Sequence, residues 1–466
     1  MALGCCSSDR LWQIVDYWAE RRPEAEALVA GGERLSWGRS RDWVDAIAKA
    51  YLEIGVPAGG CVAMLSSARN EFLPAFFAAG KVGAKWVGLS PKFTRDEIAQ
   101  IVSDCSPEVI LALGEYQGRD LDGAVRDVAA QTRSVRKVLA LDGAVKGADS
   151  FREFVFRSRP LCEGELARRA ACVRPETPAL LMYTSGSTGR PKGVVHTHAS
   201  VLASASVETA VLGLDEDTRM LVHFPINHVA SVVEIGVSAL YAGGTVFHMP
   251  HFDAAASLEL VDREGITVMG QVPTMYLMQM ACPRFSTTDF SRVRRFVWSG
   301  ANASDSLAAA LLECAGGDVG RLTAAYGSTE GGGLIAYTRP GDDVETLTRT
   351  AGVAAPGYQL RVVGEGGEDA ACGEVGEVWL RGPMLFKEYL NMPEVTAARF
   401  AEGGWYRTED LGWLDERGYV RLVGRRSEMF KTGGENVYPR EVEEVLERHP
   451  AVAAAAVIGV PDPLYG

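Results

Sequence analysis

The sequence predicts an α/β protein. A large N-terminal domain of two α/β subdomains plus a small β-barrel is followed by part of a small α+β C-terminal domain. Three observations predict it. Short apolar strands alternate with amphipathic helices in two separate stretches, a Gly-punctuated run of short strands comes next, and a charged helix follows a polar break. The 466-residue length exceeds one ordinary domain.

In the first stretch, Cys61–Ser67 reads as a strand, Asn70–Val82 as a helix, Ala84–Leu89 as a strand, Thr94–Asp104 as a helix and Glu108–Ala112 as a strand. That succession is a set of βαβ units and implies a parallel sheet. Residues from Gly114 to about Arg174 are less regular and carry no motif. The second stretch runs from Ala179 to about Thr338, with Ala179–Tyr183, Val268–Gly270 and Arg295–Trp298 as strands and Ser304–Cys314 as a helix. From Gly352 to Val423 the short strands Gln359–Val363, Gly376–Arg381 and Tyr419–Val423 suggest the barrel or a sandwich. Beyond Gly424, the helix Arg440–Arg448 and the strand Val452–Ile458 open a separate unit, so domains are expected over 1–424 and 425–466.

Composition narrows the function classes. With 47% hydrophobic and 23% charged residues the chain has ample core material. A net charge of −13 argues against a nucleic-acid or anionic-membrane surface. The nine cysteines are scattered, odd in number and never spaced Cys-x-x-Cys, which fits reduced thiols. Neither a signal-peptide pattern nor an apolar run of bilayer length is present, and a cytoplasmic protein with no membrane insertion and no nucleic-acid partner is expected.

The strand Ala179–Tyr183 leads into Thr184-Ser185-Gly186-Ser187-Thr188-Gly189-Arg190-Pro191-Lys192-Gly193. Glycines let backbone N–H groups converge on one point, the hydroxyls add donors and Lys192 adds a mobile cation, so the segment suits a triphosphate or pyrophosphate. It is not the pattern of ordinary P-loop NTPases. A flexible linker would not embed Arg-Pro-Lys between two apolar strands. Three further motifs follow: Tyr326-Gly327-Ser328-Thr329-Glu330-Gly331, Trp405 through Gly412, and Gly424 through Val437.

Together these segments resemble the adenylate-forming (AMP-binding) superfamily, whose members join a carboxylate to AMP with loss of pyrophosphate; most then pass the acyl group to a thiol. The resemblance covers nearly the whole chain. It implies that Thr184, Ser185, Gly186, Ser187, Thr188, Gly189 and Lys192 bind ATP phosphates. Tyr326 packs on adenine, flanked by Gly300 and Ala301. Thr329 touches the α-phosphate, Glu330 holds Mg²⁺, and Asp410 and Arg425 hold the ribose. Ser427 takes the hinge position. Lys431, Gly433 and Gly434 match the loop that serves the thiol half-reaction. A flat ring suits a purine and a hard carboxylate suits a phosphate-bridging metal on their own chemistry. Two positions depart from the family pattern: Glu409 and Glu388 each stand where glycine is usual.

The acid pocket is expected around His228, Trp298 and Ala325, with Val232, Val233 and Gln271 as lining or core. Val229 stands where relatives that activate amino acids place Asp, so a carboxylic acid without an α-amino group is favoured. His196-x-His198 and His248-x-x-His251 suggest no third metal ligand. The resemblance places the family's catalytic lysine beyond Gly466, so slow adenylation by this chain is expected. The implied activity is acid–CoA ligation with ATP, Mg²⁺ and CoA. Alternatives are loading of a carrier-protein phosphopantetheine, a catalytically weakened adenylate-binding protein, or a luciferase-like oxygenase.

Overall fold

Runs of Val, Leu and Ala bounded by glycine turns build two large, mostly parallel sheets in the computed structural model, which describes residues 8–157, 163–184, 191–432, 435–447, 449, 452 and 455–462. The first sheet has eight strands. In spatial order they are Glu388–Tyr389, Lys192–Thr197, Pro178–Thr184, Lys85–Leu89, Cys61–Leu65, Val109–Ala112, Lys137–Ala140 and Asp149–Ser150. Six of them run parallel, and the first two are antiparallel additions at one edge. Cys61–Leu65 is buried at every residue, as a parallel strand covered on both faces must be.

The second sheet has nine strands: Val353–Ala354, Gly333–Tyr337, Leu322–Ser328, Arg295–Trp298, Val268–Gln271, Arg219–Val222, Thr245–His248, Glu26–Ala30 and Glu33–Ser36. The N-terminal strand Glu26–Ala30 joins this later-formed sheet by parallel pairing of Leu28 with Val246, which ties the start of the chain to the second subdomain.

A shared helical layer lies between the sheets. Phe72–Lys81 is buried from Phe72 through Gly80. Phe72 touches Trp86 of the first sheet and His248 of the second, with ring centroids 5.3 Å and 6.1 Å apart. The helix His198–Leu212 starts at a Thr197–Ser200 capping box and ends at Gly213 in the left-handed conformation. The segment Ala230–Val237 is π-helical, and Gly236 permits its approach to Leu73: a Cβ there would stand 3.0 Å from a Leu73 methyl.

Several sequence expectations change. Residues 114–174, read as irregular, hold the helices Asp122–Gln131 and Glu163–Cys172 and the strand Lys137–Ala140 that extends the first sheet. The expected β-barrel is an open antiparallel sheet. Gln359–Val363, Gly376–Arg381, Trp405–Leu414 and Phe400–Ala401 pair in that order, and Val420–Arg425 pairs with Trp405–Leu414. No ladder closes it among the described residues. The helix near 440 is Pro439–Glu447, but Val452 and Ala455–Ile458 form no strand. Ile458 is 80% exposed, and an apolar run with no neighbouring strand among the described residues gains neither a ladder nor burial. No described helix is long and apolar enough to cross a membrane.

Gly88 shows how tightly the layers meet. A Cβ there would sit 2.4 Å from the Ile226 carbonyl oxygen, in the segment leading to His228. Gly88→Ala is expected to destabilise by about 1–3 kcal/mol and lower the melting temperature. Gly123→Ala, in a helix with open space around it, is expected to raise stability by about 0.5–1 kcal/mol. Differential scanning calorimetry of both variants checks the pair.

Candidate active site

The two large sheets and the third, antiparallel one converge on a cavity of about 630 Å³. Thr184, Lys192, His228, Gly300, Thr329, Glu330, Asp410, Arg425 and Ser427, read from six separate sequence segments, all line it.

Backbone register brings these groups together. Thr184 and Lys192 are cross-strand partners, so the residues bounding the glycine-rich segment face each other. Ser185, Gly186, Ser187, Thr188 and Gly189 lie outside the described residues, as do Gly433 and Gly434. The Lys192 ammonium stands 5.0 Å from the centroid of the Tyr389 ring, whose hydroxyl donates to Glu330 Oε1 at 2.9 Å. One aromatic side chain thus spaces the cation from the carboxylate.

The turn carrying Thr329 and Glu330 joins the antiparallel strands Leu322–Ser328 and Gly333–Tyr337. Its backbone is held from three directions. His196 Nε2 is 2.8 Å from the Thr329 carbonyl oxygen, Phe386 N–H donates to the Glu330 carbonyl at 2.9 Å, and the Tyr358 hydroxyl donates to the Gly331 carbonyl. Burial lowers the His196 pKa to about 4, so the ring is neutral and its Nε2–H donates.

On the third sheet, Asp410 and Arg425 are directly opposed in the ladder, with Arg425 Nε 3.3 Å from Asp410 Oδ1. The Tyr326 hydroxyl donates to Asp410 Oδ2. Burial raises the Asp410 pKa, while the Tyr326 hydrogen bond and the Arg425 charge oppose that rise. The carboxylate is therefore oriented before any ligand arrives.

Glu409 adopts φ +65°, a left-handed conformation that costs a non-glycine residue roughly 1 kcal/mol. Its carboxylate pairs with Arg399 at 2.5 Å and its N–H donates to Glu377 Oε1 at 3.1 Å. The second carboxylate beside Asp410 is thus neutralised by a cation of its own.

Other expected residues fall elsewhere. Trp298 does not line the cavity: it is 2% exposed and packs with Phe296 in a separate hydrophobic cluster. Side chains alternate along a strand, so Val297 faces the cavity instead. Ala325 is half-buried against the main core, and Val232 and Val233 are fully buried within it. Ala301 is exposed, while Gly300 lines the cavity at φ +83°. Tyr326 is buried behind Asp410, and Lys431 is exposed on the small hairpin Phe430–Thr432 with Glu435–Val437. His228 stacks on Phe224 at 5.9 Å between centroids, and Gln271 lines the wall with its amide donating to Gln279.

Sequence reasoning missed Arg399, Tyr389, Glu208 and Glu234, all of which line the cavity. The glutamates had a signal. Each is the only acidic or basic side chain in a long apolar run, Ala199–Leu212 and Val229–Ala242, where an unpaired charge is costly. His196 and His198 are held by neighbours rather than a metal: His198 Nδ1 accepts from the Leu11 N–H at 3.3 Å. No group of three potential metal-ligating side chains occurs among the described residues.

With this geometry established, comparison with known proteins is specific. The AMP-binding enzyme family matches residues 15–390, and the AMP-binding enzyme C-terminal domain matches residues 441–466. An indoleacetate–CoA ligase of Aromatoleum aromaticum is 33% identical over 98% of this chain and 86% of its own length. A feruloyl-CoA synthase of an Amycolatopsis species is 32% identical over 96% of the chain and 86% of its own. Among solved structures, an anthranilate CoA ligase in complex with anthranoyl-AMP superposes with a TM-score of 0.87 at 26% identity, covering 98% of this chain and 85% of that one. An amide bond synthetase from Marinactinospora thermotolerans gives 0.83 at 30% identity, covering 97% and 87%.

Four buried imidazoles set an acid limit on this architecture. Burial depresses His196, His223 and His248 to about 4 and His198 to about 3. The unfolded chain takes up these protons near pH 6.5 while the folded chain refuses them. Their stabilisation is therefore complete above pH 6.5 and is lost as pH falls toward 4, by up to about 1.4 kcal/mol per pH unit for each ring. Melting temperature should already decline between pH 6.5 and 5. His223→Phe, which keeps a ring beside Phe224 and Phe252, should flatten that decline.

Proposed function

The chain belongs to the AMP-binding enzyme family, and we propose that it is an AMP-forming acid–CoA ligase acting on a carboxylic acid with a flat apolar body and no α-amino group. The observation that carries this reading is the single cavity. It joins a nucleotide side, Asp410 with Arg425, to an apolar slot formed by Leu212, Met220, Phe224, Val229 and Leu334. Val229 offers nothing to an ammonium group, and the Phe224 ring suits a planar acid. The relatives that act on indoleacetate and ferulate share nearly the whole chain.

In this reading Asp410 accepts both ribose hydroxyls, and Arg425 neutralises it and contacts the ribose–phosphate junction. Thr329 donates to the α-phosphate. Lys192, with Thr184 and the Ser185–Gly189 segment, holds the β- and γ-phosphates. The Glu330 carboxylate on the cavity wall fits Mg²⁺, which takes one or two carboxylates along with substrate phosphates and would neutralise charge on them. The acid's carboxylate attacks the α-phosphate in line; the bond to pyrophosphate breaks, and acyl-AMP forms. The CoA thiol then attacks the acyl carbon and AMP leaves. Ser427, which lines the cavity after Arg425, is the hinge between units at 1–424 and 425–466. Lys431, Gly433 and Gly434 serve the thiol step. The cytoplasm supplies both ATP and CoA and suits the free cysteines.

Acid-dependent ATP–pyrophosphate exchange tests the first half-reaction. Exchange is expected with arylalkanoic or arylacrylic acids and not with amino acids. Product analysis with CoA and with holo-carrier proteins tests the second; acyl-CoA is expected, and acylation of a carrier protein alone would reassign the acceptor. Asp410→Ala removes a charge-assisted contact and should raise the KM for ATP by roughly 10- to 100-fold. Arg399→Ala frees the Glu409 carboxylate beside the ribose and should raise the same KM by a smaller factor, about 3- to 10-fold.

A further inference from the structure

The adenylation chemistry leaves two carboxyl groups of the cavity unused. Glu208, on the helix His198–Leu212, and Glu234, on the π-helical Ala230–Val237, belong to the helical layer rather than to the strands that carry Asp410 and Arg425. Glu208 is 1% exposed. Its Oε2 accepts from the Ser238 hydroxyl at 2.9 Å and the Leu334 backbone N–H also favours its ionised form, while its Oε1 has no well-aligned hydrogen-bond partner among the described residues. Gly333 lies beside both groups: a Cβ there would be 3.1 Å from Glu208 Oε1 and 3.6 Å from Glu234 Oε1. Neither carboxylate pairs with Lys or Arg among the described residues. Burial raises both pKa values, and repulsion from Glu234 adds to the rise at Glu208.

Such an arrangement is costly for a protein that leaves it unused. A buried carboxyl oxygen without a well-aligned donor loses hydration that its remaining contacts do not fully replace. The cost is recovered when a ligand supplies the donor. The acid's own carboxylate is disfavoured there, because burial and mutual repulsion already oppose charge on this pair and a third carboxylate would add to both. The acid must therefore point its carboxylate toward Thr329 and Lys192 and present another part of its body to the glutamates. An alkyl end there would leave Glu208 Oε1 unpaired, and an anionic end would be repelled.

We propose that Glu208 and Glu234 form a specificity site for an N–H or O–H donor on the body of the acid, away from the reacting carboxylate. The substrates are thus amino-, hydroxy- or ring-N–H-bearing aryl acids rather than plain aryl or alkyl acids. Leu212, Met220, Ile235 and Leu334 line the same cavity and offer water no polar side-chain partner, so water is a poor substitute for the ligand's donor. This inference rests on the acid-activating reading above and names the class of acid.

Benzoic, phenylacetic and 3-phenylpropenoic acids, each in 4-amino, 4-hydroxy and 4-methyl form, supply the probes. Binding is read by titration calorimetry with a non-hydrolysable ATP analogue, and turnover by pyrophosphate exchange. In at least one series the amino or hydroxy acid should bind about 10-fold or more tightly than its methyl counterpart. E234L should bring that ratio to unity or below. E234Q, which keeps an acceptor oxygen, should retain part of it, and E234M, which removes the acceptor at similar length, gives the same reading should E234L not fold. A ratio within two-fold in the wild type, a ratio untouched by these variants, or binding of no acid overturns the proposal. Exchange without donor preference overturns it and leaves the ligase reading intact. Donor-selective binding without exchange supports it and overturns the ligase reading.

Discussion

Antiparallel pairing is the constraint on which this site depends. Thr184 with Lys192, Ser328 with Gly333, and Asp410 with Arg425 are each register partners in an antiparallel ladder. In every case the pairing occurs where antiparallel strands are added to a parallel sheet, or within the small third sheet. Parallel strands deliver their neighbours end-on in one direction and cannot place two sequence-adjacent polar segments face to face. The antiparallel additions do, and backbone hydrogen bonds set the spacing before any side chain contributes.

The turn bearing Thr329 and Glu330 shows how that geometry is kept rigid. Its carbonyls are occupied by a buried neutral imidazole, a backbone N–H and a tyrosine hydroxyl from three separate segments. With the carbonyls occupied, the Thr329 hydroxyl and the Glu330 carboxylate are the groups left to meet a ligand. Tyr389 adds a second brace by touching both Glu330 and Lys192. Such bracing means that little reorganisation is required when charge develops on a phosphate.

The left-handed Glu409 also acquires a physical account. The bend at this position of Trp405–Leu414 orients Asp410 toward Tyr326 and Arg425, and glycine would adopt it without strain. Here a glutamate accepts the cost, and its ion pair with the largely buried Arg399 offsets part of it. The charge is contained, so Asp410 keeps Arg425 as its own partner across the ladder. Beside Gly333, the Glu208–Glu234 pair has no such cation among the described residues.

The strands and helices from Cys61 to Ala112 were legible in the sequence to within one or two residues, because alternation and caps are local signals. Several of the motif residues read from local sequence line one cavity for the same reason. Contiguous residues such as Ser328–Thr329–Glu330 carry their chemistry together. Residues beyond the reach of local pattern were misread. Trp298 adjoins cavity-lining residues, yet strand alternation turns it to the far face. The open third sheet looked like a barrel because closure depends on partners distant in the chain. By itself, then, the sequence determined the family, the α/β class and the nucleotide chemistry. Only the tertiary structure decided which side chains share the cavity, that Glu409 has Arg399 as its counterion, and that two glutamates 26 positions apart meet beside Gly333 with no cation among the described residues. Long-range packing and burial set those contacts, and neither is written in the local order of residues.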